Sequence, residues 1–412
     1  MKKILMILFL IFATALNVNA QIVQKEEGSI KFYYIRARDF SRPSSKVRTE
    51  AGKVLVEKIN KAQKSIDFAF YGLSNQDEIL NALINAQNRG VKVRGIVDKN
   101  VENKNDYSGT EYAIQKLGDN VIKTDYKTEL EKLNKIKNKE IEFKYDFFKG
   151  HIMHNKFCII DDEVVWTGTV NISSTGTGGF NENNACVIHS KDVAKIFKKE
   201  FEQMYVKELF HENKYPIYSK KGYNLSTTNV QIYFSPNKDI INNVLIPEIE
   251  KAKKDIYLSM FLISDRKIVN SLIDAHNRGV SIKVIIDAHH AMQPYSKHEI
   301  LRNAGIKVKV ENWAGKMHAK TVIIDENTII SGSANWTYSA FRYNDENLLI
   351  FKNLPQEALF LKKEFNHSWK SIPNKWLYNN PKPEGKDSKK SCFDGVDNDH
   401  NGLFDKDDPA CK

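Results

Sequence analysis

The chain has 412 residues, too long for a small module that depends on disulfide staples and enough for two or three domains with sizeable cores. Lys and Arg number 62 against 51 Asp and Glu, a formal charge of +11. One long apolar run, Ile4–Leu16, is too short to span a bilayer, and no comparable run follows, which excludes a protein threaded through a membrane by apolar helices.

Met1-Lys-Lys, that apolar run and Val18-Asn-Ala20 read as a secretory signal peptide cleaved after Ala20, so the mature protein is expected in the periplasm or secreted. Residues 1–20 carry two lysines, and residues 391–412 carry two lysines and six aspartates; the body between them holds 58 basic against 45 acidic residues, or +13. A basic body suits a polyanion, either nucleic acid or an anionic membrane surface, although lysine richness also serves solubility alone.

After the leader, Ser29–Ala37 reads as a strand and Ser41–Ala51 as a polar loop. A helix near Val54–Ala62, a strand at Ser65–Tyr71, a helix at Gln76–Asn88 and a strand at Lys92–Asp98 follow. Within 101–150, Thr128–Glu142 carries charges of both signs and reads either as a lid helix or as a solvated surface helix. Residues 211–229 read as a link, and Val230–Phe234 as the strand that opens a second half. There Val244–Ala252, Asp255–Leu262, Arg266–Asn277 and Ser281–Asp287 repeat the helix–strand–helix–strand order. Asn88-Arg-Gly90 returns as Asn277-Arg-Gly279, a helix stop with glycine for the left-handed turn. Strands alternating with helices predict βαβ units and a largely parallel sheet covered on both faces. The expected divisions are 1–20 signal peptide, 21–210 first half, 211–229 linker, 230–378 second half, 379–391 linker and 392–412 tail.

The stretch from His151 through His154, Lys156, Asp161 and Gly168 to Asn171 returns as His318, Lys320, Asp325, Gly332 and Asn335. Both copies read H-x-K, four residues, D, six residues, G-[ST]-x-N. Glu182-Asn183 and Glu346-Asn347, Ala194 and Ala358, and Glu200-Phe201 and Glu364-Phe365 continue the same offset of 164. A frame held that long is an internal duplication. The copies differ upstream, where Asp98 to His154 spans 56 residues and Asp287 to His318 spans 31.

His154 and Lys156 stand two apart on a strand-forming run, so both point to one face while Phe157 and Ile159 point to the other. Turns at Asp161-Asp-Glu163 and Asp325-Glu-Asn327 bring Gly168, Thr169 and Asn171, and Gly332, Ser333 and Asn335, back to the level of the histidines. Asp161 and Asp325 lie five residues beyond the lysines, about 16 Å at about 3.3 Å per residue, and read as structural residues of the hairpins. Lys and Asn donate hydrogen bonds suited to phosphoryl oxygens. A neutral imidazole can attack phosphorus, and a protonated one can give its proton to a leaving oxygen. Two such sets supply both roles around one phosphodiester. Glu182 and Glu346, each 28 residues beyond its histidine, are the candidates to hold the second ring nitrogens. Lys and Asn supply positive field, so no catalytic metal is expected.

The doubled motif with its following Glu-Asn resembles the phospholipase D superfamily over roughly residues 30–375. Gly332-Ser-Ala-Asn-Trp-Thr337 and Asn344-Asp-Glu-Asn347 are similar to its nuclease-like branch. The resemblance implies an α/β fold of two tandem α/β/α sandwich halves about a pseudo-twofold axis, with the site between them. It also implies that His154 attacks phosphorus to form a phosphohistidine, that His318 protonates the leaving group, and that water or an alcohol resolves the intermediate. One chain holds both sets, so a monomer would suffice. Thr169 stands where Ser is commoner, and Asn181 where the second copy has Asp345.

In the tail, Asp397, Asp399, Asn401, the Leu403 carbonyl, Asp405 and Asp408 occupy positions 1, 3, 5, 7, 9 and 12 of an EF-hand-type calcium loop, with Gly402 at the sixth. Flanking helices are absent, and a Cys392–Cys411 disulfide is expected to close the loop instead. The segment resembles calcium-binding Asp-rich repeats of exported proteins; Ca²⁺ there would be structural and remote from the histidines, the alternative being a disordered acidic tail. Cys158 and Cys186 lie on predicted strands, either paired or as buried thiols.

The expected function is an exported phosphodiesterase, with a nuclease favoured. The alternatives are a phospholipase D or phosphatidyltransferase acting on lipid diesters, or a non-catalytic module that binds polyanions or surfaces. Lipid access would require apolar loops, for which Phe147-Phe148 is the local candidate.

Overall fold

Runs of Val, Ile and Phe bounded by turn residues write two sheets. The computed structural model describes residues 27–99, 104–124 and 151–412. In the first half β1 (Ile30–Ile35), β2 (Ser65–Phe70), β3 (Lys92–Val97), β4 (Val121–Lys123), β5 (Lys156–Ile160), β6 (Val164–Gly168) and β7 (Asn183–His189) lie in the order β1-β7-β6-β5-β2-β3-β4. The second half contributes β8 (Tyr218–Leu225), β9 (Thr228–Ser235), β10 (Asp255–Met260), β11 (Ser281–Ile286), β12 (Lys307–Val310), β13 (Lys320–Ile324), β14 (Thr328–Gly332) and β15 (Glu346–Lys352). Their order is β12-β11-β10-β13-β14-β15-β9-β8. The run β7-β6-β5-β2-β3-β4 is thus repeated as β15-β14-β13-β10-β11-β12, with β9 in the place of β1.

Side chains alternate across each strand, so each sheet has two apolar faces to cover. In β2 and β5, Phe68, Phe70, Cys158 and Ile160 face a core closed by helices Glu50–Lys61 and Asp77–Asn88. Ala69, Phe157 and Ile159 face another core, filled by Phe197 and Phe201 of helix Lys191–Tyr205. That second core also takes Phe234, Ile323, Phe351 and Leu361 from the other half, so the halves share apolar interior. Thr49 and Asp265 cap helices Glu50–Lys61 and Arg266–Asn277 through their side chains.

The sheets are mixed, not largely parallel. Among the described strand ladders, β2-β3-β4 and β10-β11-β12 are parallel and the others antiparallel. The three-residue connection from β5 to β6 permits a hairpin only, since a parallel return needs a crossover of roughly a dozen residues or more. Asp161 and Asp162 have φ of 55° and 57°, and Asp325 and Glu326 have 52° and 54°, the mirror-image turn that fits tight hairpins.

Both expected linkers are built into the fold. Residues 218–225 form β8, an edge strand paired with β9. In 379–391, Lys389 pairs with Trp313 and donates its backbone N–H to Asn312 (2.9 Å), and Pro381, Pro383 and Glu384 are buried. Cys158 and Cys186 are free buried thiols on opposite faces of the first sheet. The signal peptide, Thr128–Glu142 and Phe147-Phe148 lie outside the described residues.

The backbone closes tightly on both motif glycines. A Cβ on Gly332 (φ +147°) would sit 2.3 Å from the Asn347 carbonyl oxygen, and one on Gly168 (φ +155°) 2.4 Å from that of Asn184. Gly279 is left-handed (φ +93°) with nothing within 4 Å. Gly332→Ala is therefore expected to cost about 3 kcal/mol or more and Gly279→Ala only about 1 kcal/mol, read from urea unfolding midpoints. Equal costs would remove the argument for a close strand approach.

Candidate active site

Each catalytic-type histidine is positioned by the other half of the chain. The His154 N–H donates to the Asp345 carbonyl (2.9 Å), and the His318 N–H to the Glu182 carbonyl (2.9 Å). The preceding methionines are held within their own halves. Asp98, at the end of β3, accepts from the Met153 N–H (2.7 Å), and Asp287, at the end of β11, accepts from that of Met317. Two buried amides close the seam. Asn347 donates to Asn155 (3.0 Å) and accepts from Thr167 (3.2 Å), while Asn184 donates to Ser331 (2.8 Å) and accepts from Thr321 (2.6 Å). Buried, with the Asn347 and Asn184 amides each both donating and accepting, these bonds favour one arrangement of the halves.

Lys156 Nζ donates to the His154 carbonyl (2.6 Å) and Lys320 Nζ to that of His318 (2.7 Å). An aromatic ring lies against each pair. The Tyr71 centroid is 5.0 Å from the His154 ring and 5.2 Å from Lys156 Nζ; the Phe261 centroid is 4.8 Å from the His318 ring and 4.9 Å from Lys320 Nζ. Burial lowers His154 to about 4 against the opposing pull of Glu346, and both lysines push it further down. Burial, then Lys320, Lys156 and His154, hold His318 well below the usual imidazole range. The His154 ring reaches Glu346 of the other half and the His318 ring reaches Asn183, so the two sets meet along one seam. Burial also lowers Lys156 to about 7 and Lys320 well below the usual ammonium range. Asn171 donates to the Tyr107 hydroxyl (2.9 Å), and the amide oxygens of Asn171 and Asn335 are buried without a hydrogen-bond partner among the described residues.

The motif aspartates are structural, as the spacing predicts. Asp161 accepts from the N–H groups of Gln63, Lys64 and Ser65, and Asp325 from those of Lys253, Lys254 and Asp255. They anchor the starts of β2 and β10. Thr169 and Ser333 accept from the N–H groups of Asn184 and Asn347, and so hold the loop after the glycine against the neighbouring strand.

The orienting residues depart from the expected pair. His154 Nδ1 donates to Glu346, 2.9 Å from each carboxylate oxygen, and so crosses between halves. His318 Nδ1 donates to the Asn183 amide oxygen (2.9 Å), not to Glu182. The cause is a one-residue slip in the duplication. Asn171 to Asn183 is 12 residues, whereas Asn335 to Glu346 is 11. Gly168 therefore pairs with Ala185 but Gly332 with Leu348, and Asn183 takes the structural place of Glu346. The hydroxyls agree: Thr169 donates to Asn183 (2.8 Å) and Ser333 to Glu346 (2.6 Å). One residue along a strand reverses the face. Glu182 accordingly points away, accepting from Tyr34 (2.9 Å), the Ala37 N–H (3.0 Å) and the Ser368 hydroxyl, with burial raising its carboxyl pKa.

Sequence reasoning missed Asn183, Tyr71, Phe261, Asp98 and Asp287. The repeated Glu-Asn pair hid the slip; counting from Asn171 and Asn335 to each strand would have shown it. The other four end equivalent strands in both halves, a signal available from the repeat.

The Cys392–Cys411 disulfide is present, with Cα atoms 5.6 Å apart. Asp397 and Asp399 both accept from the Asn401 N–H, and the Asn401 amide donates to Asp399 (3.2 Å) and Asp408 (2.7 Å). Four expected calcium ligands thus gather, with oxygen donors that suit a hard cation. Asp405 does not join them: its carboxylate accepts from the Asp394 and Gly395 N–H groups (2.9 and 3.1 Å). The Leu403 N–H donates to the Asn401 side chain (2.8 Å). Nor is the loop remote from the histidines, because His400 accepts from Lys316, two residues before His318 (2.8 Å).

Two halves that each lend a histidine and a lysine to one buried seam define a phosphodiesterase with a duplicated fold. A family model described as "Cardiolipin synthase, PLD-like domain" matches residues 55–205 and 245–369, and the chain belongs to this PLD-like family. It is 33% identical over 142 residues to a phospholipase D of Rickettsia prowazekii, covering 34% of this chain and 69% of that protein. To a mitochondrial cardiolipin hydrolase of Mus musculus it is 32% identical over 144 residues, 35% of this chain and 65% of that protein. The phosphatidylserine synthase of Haemophilus influenzae shares the fold over 88% of this chain and 94% of its own, with a TM-score of 0.58 at 14% identity. Among the described residues, no helix is long and apolar enough to cross a membrane.

The electrostatics fix a pH profile. Neutral His154 is present above about pH 4, and the Lys156 charge is lost as pH rises through about 7. The kcat/KM of a diester substrate is expected to be bell-shaped between these limits, and Lys156→Arg should carry the alkaline limb upward. Glu346→Gln should lower kcat by about 10²-fold or more with little change in melting temperature. An alkaline limb that stays in place in Lys156→Arg would remove the lysine from the assignment.

Proposed function

We propose that the protein is an exported nuclease that cleaves nucleic-acid phosphodiesters through a phosphohistidine. A neutral imidazole whose Nδ1 donates to a carboxylate or amide oxygen presents Nε2 as a lone pair. His154 Nε2 attacks phosphorus, a P–N bond forms and the P–O bond to the leaving group breaks, while the proton that His318 takes up on Nε2 as the anionic diester binds passes to the leaving oxygen. Water then gives its proton to His318 and attacks the phosphohistidine, which restores both rings. The order rests on the asymmetry of the holding groups. Glu346 stabilises the positive charge that grows on His154 as it bonds to phosphorus, whereas Asn183, being neutral, leaves His318 the readier proton donor. Lys156, Lys320, Asn171 and Asn335 are assigned to the phosphoryl oxygens. This reading uses no catalytic metal, and the tail loop is assigned a structural Ca²⁺.

The observation that carries the nuclease choice is charge: a body of +13 around a site that already holds two buried lysines favours a chain of phosphates. The second reading, a phospholipase acting on lipid diesters, is favoured by the names of the similar proteins from Rickettsia prowazekii and Mus musculus.

The test offers single- and double-stranded DNA, RNA, and phosphatidylcholine and cardiolipin vesicles to the protein in EDTA, beside His154→Ala. Nucleic-acid cleavage is expected, lost in the variant and falling steeply with added salt. Cleavage of lipid alone would establish the second reading, and no cleavage of any diester would leave a binding module. Added Ca²⁺ should raise the melting temperature without raising the rate.

A further inference from the structure

Next to the paired sets lies a second group of imidazoles and an ammonium. Phe261 stands between the two. His318 and Lys320 lie against its ring, and so do His290 (4.1 Å between centroids) and Lys316 Nζ (6.0 Å). His290 leads to His289 (5.3 Å), and His289 to His400 of the C-terminal loop (4.7 Å). Lys316 Nζ donates to His400 Nε2 (2.8 Å), so the tail brings its imidazole to a lysine two residues before His318. His290 Nδ1 is buried without a hydrogen-bond partner among the described residues. The equivalent ring of the first half, Tyr71, has different company. Its hydroxyl donates to Asp106, and Tyr107 packs against it at 5.9 Å. The surroundings of the site therefore differ: a phenol and Asp106 stand beside Tyr71, whereas a lysine and three imidazoles stand beside Phe261, with Asp397 and Asp287 near them.

We infer that Lys316, His289, His290 and His400 form a subsite for a second phosphate of the substrate chain, on the His318 side of the scissile phosphate. The inference rests on the nuclease reading and specifies the substrate it takes. An ammonium and imidazole N–H groups are donors suited to phosphate oxygens. Lys316 Nζ and the His318 ring lie 6.0 and 4.8 Å from the centroid of the same Phe261 ring, a separation that neighbouring phosphates of one nucleotide chain can span. Since His318 protonates the leaving oxygen, the second phosphate belongs to the leaving portion. A substrate with one phosphate leaves the subsite empty, so the subsite favours polymers over simple diesters.

The full chain and its Lys316→Ala and His400→Ala variants are compared on an oligothymidylate and on bis(p-nitrophenyl) phosphate, which has a single phosphate. The ratio of kcat/KM for the oligonucleotide to that for the simple diester is expected to fall about tenfold in each variant, mainly through KM, as for loss of one charge-assisted hydrogen bond. An equal loss on both substrates, or none, overturns the subsite while the nuclease reading stands. A wild-type protein that cleaves the simple diester and lipid vesicles but no oligonucleotide overturns both.

Discussion

The geometry depends on two backbone hydrogen bonds that cross the seam, His154 to Asp345 and His318 to Glu182. Each histidine takes a backbone partner from the other half, at the residue immediately before β15 or β7. The side chains repeat the rule: Glu346 reaches back to His154, and Asn183 to His318. Catalytic geometry and the association of the halves are thus one constraint. A shared apolar core and interlocked Asn184 and Asn347 amides supply the stiffness such a site needs.

Duplication begins with two equal sites, and this chain has made them unequal in three ways. A one-residue slip exchanges a carboxylate for an amide behind His318. Tyr71 faces Asp106 where Phe261 faces His290. The tail touches the second half through Lys316 and Asn312. All three bear on proton and charge distribution and leave the fold unchanged. A carboxylate and an amide of similar size fill the same space, yet only the carboxylate favours a protonated or phosphorylated ring. The two histidines are thereby suited to different steps.

Much of this was legible in the sequence. The H-x-K alternation placed His154 and Lys156 on one face, and simple strand length kept Asp161 out of the site, where it binds backbone N–H groups at the start of β2. Helix Arg266–Asn277 follows its expected limits, because Asp265 caps it and Gly279 ends it. What could not be read was register. Glu182-Asn183 and Glu346-Asn347 share an offset in the sequence but not in space, since a loop can absorb one residue while a strand cannot. The hairpins at Asp161-Asp-Glu163 and Asp325-Glu-Asn327 were legible, but the largely parallel sheet was not borne out, because the βαβ pattern that opens each half does not extend to the strands after it. Residues 211–229 have linker composition but supply Lys214, which binds Asp345 (2.9 Å) and Glu200 behind His154. Tertiary partners, not local sequence, decide that role.

Lys156 and Lys320 are both almost fully buried in a site where Glu346 is the carboxylate bonded to a catalytic-type imidazole. Two ammonium groups in a poorly solvated seam raise each other's energy, and the folded chain holds them there against that cost. Hydrogen bonds to the His154 and His318 carbonyls offset part of it and aim both lysines along the seam. In the proposed reaction, a phosphate entering between them meets donors already in position and supplies the missing negative charge. The repulsion that weakens the empty site then becomes attraction for the diester, and it grows further as charge develops on the phosphoryl oxygens. That ordering of energies, costly when empty and most favourable at the transition state, is what electrostatic preorganisation requires.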